Sequence, residues 1–178
     1  MGDIKNPINF DGNISPLMCL SEVDFISNNV LNESITMLEY GSGGSTIQFS
    51  KRVKKYYSVE HNPEWYERVK KDTEKQENLT LILEEDKKKY SKIPKKINEM
   101  FDVILIDGVN RVDCALFSFD FLKNDGILMI HDSRKLPPSC SSYSHLQKEI
   151  KEEFKPVLEK YNIVNSIFTL TIFKKRKD

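Results

Sequence analysis

The chain has 178 residues, 39% hydrophobic and 30% charged, a length and balance that suit one globular domain with a full core. Its 27 Lys and Arg equal its 27 Asp and Glu, so it lacks the cationic excess of a dedicated nucleic-acid binder, and nucleic acid is not an expected partner. No apolar run reaches membrane-spanning length and the opening "MGDIKNPINF" lacks the basic-then-apolar order of a secretory leader, so a cytoplasmic protein without membrane contact is expected.

In chain order, residues 1–34 read as an N-terminal helical segment of a single domain spanning 1–178, with "SEVDFISNNVL" as a helix packing on a sheet. "ITMLEYG" (35–41) reads as the first strand and "STIQFSKR" as a helix opening from the glycines after it. "KYYSVEH" (55–61) is the second strand. In "NPEWYERVKKDTEKQ", Asn62 is the N-cap and Pro63 the first helical residue. "LTLILEE" (79–85) is the third strand, followed by the lysine-rich "EEDKKKYSKIPKK", read as exposed and partly helical. "FDVILIDG" (101–108) has an unbroken apolar run, the mark of a strand covered on both faces. The helix "RVDCALFSFDFL" and the strand "GILMIHD" (126–132) come next. A loop broken by Pro137-Pro138 is stiff enough for a lid, and "SSYSHLQKEIKEEF" (141–154) reads as a helix. In "PVLEKYNIVNSIFTLTIFKK", Asn165-Ser166 separates two β-rich runs, giving a final hairpin. Strands alternating with helices predict an α/β, Rossmann-like, doubly wound and mostly parallel seven-stranded sheet with an antiparallel last strand and helices on both faces. The three cysteines, Cys19, Cys114 and Cys140, lack metal-ligand spacing and read as reduced thiols, with Cys114 buried.

"MLEYGSGGST" places three of the seven glycines within four residues, directly after a strand. A strand turning sharply into a helix presents backbone N–H groups and the positive helix end to a ligand. Gly41 and Gly43 match two glycines of the dinucleotide fingerprint, but Thr46 occupies the third place. Glu39 would repel a pyrophosphate and suits a cationic ligand. S-Adenosylmethionine is such a ligand, and its carboxylate could use the loop N–H groups and the hydroxyl of Ser45 or Thr46. Glu60, nineteen residues after Gly41, ends the second strand at a spacing suited to ribose hydroxyls. The plain alternative is a turn of glycines and a helix-capping Glu60.

"LEYGSGGST" with "YYSVEHNPEWYERV" resembles the first two motifs of class I S-adenosylmethionine-dependent methyltransferases, in particular small ones with an E-Y-G-S-G-x-S-T loop. "FDVILIDGVNRVDCALFSFDFLKNDGILMIHDS" is similar to their D-G-x-x-R-x-x-C-A stretch and closing H-D. The resemblance implies that Gly41, Gly43 and Gly44 wrap the methionine part of the cofactor and that Glu60 binds ribose with His61 beside it. It also implies an acid near the adenine, Asp86 or else Glu85, and Asp107 on the methyl side.

In an open parallel sheet, ligands lie beyond the carboxyl ends of the strands, where Asp107, His131 and Asp132 fall, with Asn110, Arg111, Arg134 and Lys135 in the following loops. These three form the candidate catalytic set. His131 is the base candidate, its alternative role being to shape the strand end. Arg111 and Lys135 are candidates for binding the substrate, unless Arg111 pairs with Asp107 or Asp132. Looser resemblance to catechol- and macrocin-type O-methyltransferases implies a divalent cation such as Mg²⁺ on Asp107 and Asp132. Ser133 and Asn110 depart from that type, so a metal is not favoured. The expectation is methyl transfer to a small-molecule or carbohydrate-like acceptor at oxygen. A cofactor-binding module without catalysis and an enzyme acting on nucleic acid or protein remain as alternatives.

Overall fold

The computed structural model of the protein describes residues 14–134 and 150–176. Lys135, Cys140, His145, the Pro137-Pro138 pair and most of the helix expected over 141–154 lie outside those residues.

Seven strands form one sheet in the order β3-β2-β1-β4-β5-β7-β6. They are β1 (Thr36–Tyr40), β2 (Lys55–Glu60), β3 (Leu79–Leu83), β4 (Phe101–Ile106), β5 (Leu122–Ile130), β6 (Tyr161–Ile167) and β7 (Leu170–Lys175). β1 pairs in parallel with β2 and β4, and those pair in parallel with β3 and β5. β7 runs antiparallel to both β5 and β6, so the last strand is the reversed one, as predicted. The chain leaves β1 toward β2 on one side and returns through β4 on the other. The carboxyl end of β1 is therefore the topological switch point.

Unbroken apolar strands arise because both faces of the sheet are covered. Leu38 and Tyr40 of β1, Ile104 and Ile106 of β4, and Leu128 and Ile130 of β5 enter one core. Met37, Val103, Leu105 and Met129 enter the other. Each such buried aliphatic chain contributes about 1.5–3 kcal/mol. Helices α1 (Leu20–Phe25) and α2 (Gly44–Phe49) cover the second core through Val23 and Phe49. The first is covered by α4 (Lys87–Tyr90), α5 (Ile93–Ile97), α6 (Arg111–Ser118) and a 3₁₀ segment Glu152–Glu159, through Tyr90, Ile93, Cys114, Phe154 and Val157. Helix α3 (Pro63–Asp72) starts where Asn62 Oδ1 accepts from the N–H groups of Glu64 and Trp65, at 2.9 and 3.1 Å. No helix of the described residues is long and apolar enough to cross a membrane.

Three local expectations change. The lysine-rich connection is not all exposed, since Tyr90 and Ile93 are buried in it and the Tyr90 hydroxyl donates to the Val59 carbonyl at 3.0 Å. The end of the expected helix over 141–154 becomes 3₁₀ geometry that continues through Pro156 to Glu159. The hairpin turns at Phe168-Thr169 rather than Asn165-Ser166, with Phe168 at φ 47°. Glu22 of α1 decides that turn: its Oε1 accepts from Thr169 N–H, Thr169 Oγ1–H and Leu170 N–H at 2.9–3.0 Å.

Candidate functional site

The glycine loop begins as β1 ends, and Gly41 turns there with φ 94° while donating its N–H to the Val59 carbonyl at 2.8 Å. A side chain at Gly41 would place its first carbon 2.7 Å from the Gly108 nitrogen, so the loops after β1 and β4 meet only because both carry glycine. At Gly44 an added carbon would lie 2.0 Å from the Ser15 carbonyl carbon. An N-terminal strap, residues 14–18, thus lies directly on the first turn of α2.

Glu39 is fully buried beneath this loop and does not face a ligand space. Its carboxylate accepts from the hydroxyls of Ser45, Thr46 and Ser58, the last at 2.8 Å. Burial raises its pKa to about 7, against the opposing pull of the Ser45, Thr46 and Ser58 hydrogen bonds. Expected as a counter-charge for a cationic ligand, Glu39 instead organises the loop. The Ser45 and Thr46 hydroxyls are engaged by it and are not offered to a ligand carboxylate. Thr46 Oγ1 also accepts the Gly43 N–H at 2.8 Å.

A cavity of about 370 Å³ opens at the switch point. Its floor is the loop Gly41–Ser45, one end is Glu60, His61, Asn62 and Trp65 after β2, and the other is Asp107, Gly108 and Val109 after β4. Ser15 and Leu17 of the strap close one side. Glu60, 3% exposed, accepts the Ser42 N–H at 3.0 Å through Oε2, and the His61 and Asn62 N–H groups at 2.8 Å through Oε1. The same carboxylate braces the loop and faces the cavity. Trp65 Nε1–H donates to the Ser42 carbonyl at 2.6 Å, which fixes the indole as a wall.

The end after β4 is a chain of alternating charges. His131 is 5% exposed, its Nδ1 lies 2.9 Å from Asp107 Oδ1, and its Nε2 lies 3.4 Å from Glu22 Oε2. Burial lowers its pKa, but hydrogen bonds to Asp107 and Glu22 and the charges of Asp107 and Asp132 overcome this and raise it to about 10. Glu22 is buried as well. Its burial raises the carboxyl pKa, and the His131 hydrogen bond and charge, with the Cys19 N–H and Thr169, bring it below the ordinary value. An imidazolium held between two carboxylates cannot accept a proton near neutrality, so His131 is not the expected base. Arg111 donates to the carbonyls of Gly108, His131 and Asp107 and lies 3.3 Å from Asp107 Oδ1. It clamps strand ends and is not available to a substrate. Asp132, 53% exposed at its side chain, turns with φ 52° and stays off the cavity wall.

Asp107, His131 and Asp132 each bring one ligating atom within 4.8 Å of the others. Those atoms already face one another or the Arg111 guanidinium, 4.0 Å from Asp132. A divalent cation would have to displace two cationic groups, and the residues as placed do not fit one. Asp86 is exposed, caps α4 by accepting the Lys88 N–H at 2.9 Å and pairs with Lys89 at 3.6 Å. Neither it nor the exposed Glu85 lines the cavity, so the adenine acid expected there is not brought to the others. Lys135 lies outside the described residues. The sequence reading missed Ser42, Ser15, Leu17, Val109 and Glu22. Ser42 was legible as part of the loop, whereas the strap and Glu22 carry no local signal.

No family model and no curated protein matches the sequence. Solved structures do. A methyltransferase-like protein from Silicibacter pomeroyi is similar over 92% of this chain and 89% of its own, with a TM-score of 0.65 and 19% identity. The N-methyltransferase NodS from Bradyrhizobium japonicum, in complex with S-adenosylhomocysteine, is similar over 88% of this chain and 85% of its own, with a TM-score of 0.58 and 15% identity. An rRNA methylase from Streptococcus thermophilus covers 88% and 95%, with a TM-score of 0.57 and 17% identity. The fold is thus the one found in class I S-adenosylmethionine-dependent methyltransferases.

Proposed function

We propose that the protein is an S-adenosylmethionine-dependent methyltransferase acting on a small-molecule acceptor. The observation that carries this reading is the convergence, in one cavity at the switch point, of the Gly41–Ser45 loop, the β2-end carboxylate Glu60 and the β4-end carboxylate Asp107. S-Adenosylmethionine would supply an electrophilic methyl group on a sulfonium. Glu60 would accept from a ribose hydroxyl with its remaining lone pair, the glycine loop would present backbone N–H groups to the methionine part, and Trp65 would wall the adenosine. The strap shields the loop from water. Rate acceleration would come mainly from holding the reactants in line. His131, paired with Asp107 and Glu22, would not be the base for transfer to oxygen.

Calorimetric titration with S-adenosylhomocysteine, with NAD⁺ as the control, tests this. Micromolar binding of the first and none of the second is expected, with Glu60→Gln weakening affinity by about tenfold through a lost charge-assisted acceptor. Absence of S-adenosylhomocysteine binding to the wild type overturns the reading.

A further inference from the structure

We propose that Asn62 is a specificity-determining residue of the cofactor site: its side-chain N–H group donates to one hydroxyl oxygen of the ribose, while the neighbouring hydroxyl donates to Glu60. The inference rests on the methyltransferase reading and names how the ribose end is recognised.

Glu60 has too few acceptor sites for both hydroxyls. A carboxylate offers about four lone pairs, two on each oxygen. The His61 and Asn62 N–H groups, both at 2.8 Å, fill Oε1, and the Ser42 N–H at 3.0 Å takes one site on Oε2. His61 Nδ1 also stands 3.0 Å from Oε1, which closes that oxygen to a ligand. One lone pair on Oε2 remains, enough for a single hydroxyl. The three N–H groups belong to the glycine loop and to the turn after β2, so Glu60 cannot release them without opening the floor of the cavity.

The second hydroxyl needs another partner at the same end of the cavity, where Asn62 and Trp65 follow Glu60 and His61. Trp65 has given its N–H to the Ser42 carbonyl at 2.6 Å. Asn62 is placed differently. Its Oδ1 accepts from the N–H groups of Glu64 and Trp65 at 2.9 and 3.1 Å, and its Nδ2 has no partner among the described residues. The amide is planar, so an oxygen held by two N–H groups also fixes the direction of the nitrogen. Nδ2 is a donor only, and the free site on Glu60 is an acceptor only. Adjacent hydroxyls match such a pair, because each can donate or accept. Helix capping and ligand recognition thus use different atoms of one side chain, and the start of α3 holds the donor in place before the ligand arrives.

Calorimetry with S-adenosylhomocysteine and its 2′-deoxy and 3′-deoxy analogues tests this on the wild type and Asn62→Ser, with melting curves to confirm folding. Serine caps a helix as well as asparagine does, but its side chain ends at the cap, so α3 keeps its start and loses only the donor. Each analogue is expected to bind the wild type about fivefold or more weakly than S-adenosylhomocysteine, the scale of one hydrogen bond. In Asn62→Ser, affinity should fall about fivefold for S-adenosylhomocysteine and for the analogue that keeps the hydroxyl bound by Asn62, and should be unchanged for the other analogue. An analogue that binds the wild type within about twofold of S-adenosylhomocysteine overturns the proposal without recourse to a variant. Equal losses for all three ligands in folded Asn62→Ser, or no loss for any, overturn the role of Asn62. Asn62→Gly, also tolerated at a helix cap, takes the place of Asn62→Ser if that variant melts early. If S-adenosylhomocysteine does not bind the wild type, the methyltransferase reading itself has failed, a result distinct from binding that ignores a hydroxyl.

Discussion

Glu39 lies beneath the glycine loop and His131 follows β5, and their ionisation responds to pH in separate windows. Glu39 has its folded-state pKa raised by burial from 4.5 to about 7. Its contribution to stability is therefore complete below 4.5 and is lost as pH rises through about 7. His131 is raised from 6.5 to about 10, so its contribution is complete below 6.5 and is lost as pH rises through about 10. Melting temperatures measured across both windows should show this order. Glu39→Gln is expected to flatten the acid-side decline and leave the alkaline one, and His131→Gln is expected to do the reverse. A wild-type curve flat from mildly acid to alkaline pH would contradict both assignments. At this scale the sequence identified the right acids more readily than their roles. Glu39 stood out because it adjoins the glycines, but nothing local said that Ser45, Thr46 and Ser58 would enclose it. Glu22 did not stand out at all, because its hydrogen-bond partner Thr169 is 147 positions away.

Elements were legible wherever a local period or a capping residue determines them. The first four strands read correctly because a sheet covered on both faces needs uninterrupted apolar runs, and α3 because Asn62 and Pro63 start a helix by their own chemistry, whereas β5 begins at Leu122, four residues before the run expected over 126–132. The final turn was misread because Asn165 is a good turn residue on its own, whereas the buried Glu22 carboxylate satisfies N–H groups only at Thr169 and Leu170. That tertiary contact outweighs local preference. Backbone conformation should likewise dominate the glycine loop. Gly41→Ala places a side chain at φ 94° and 2.7 Å from the Gly108 nitrogen, so the loops after β1 and β4 must separate. We expect a loss of about 1–3 kcal/mol in urea unfolding, together with loss of detectable S-adenosylhomocysteine binding. Wild-type affinity in this variant would mean that the close approach of the two loops does not shape the cavity.

Over the whole molecule, the sheet order is legible from strand–helix alternation, but the way residues 14–22 close on the cavity is not. Residues 14–18 reach α2, and α1 then sends Glu22 to the β6–β7 turn and to His131, so one N-terminal stretch touches both the loop and the charged end of the site. Such long-range closure depends on three-dimensional proximity and leaves no periodic trace in the sequence. Gly44 is where this arrangement can be tested. In Gly44→Ala the new carbon would meet the backbone of Ser15 and Pro16 at 2.0 and 2.3 Å, and a rigid backbone cannot yield as a side-chain tip would. Ser15 and Pro16 must lift away from α2, and neither core contains them, although Met18 at the end of the strap packs against the second core. The expected result is faster proteolysis within residues 14–19, with S-adenosylhomocysteine affinity reduced by about tenfold, the scale of one well-made contact. The ligand-free melting temperature should fall by only a few degrees, since about 1 kcal/mol shifts a domain of this size by roughly 2–4 °C. Affinity equal to wild type with the strap cleaved would show that the strap covers the loop without forming part of the binding site.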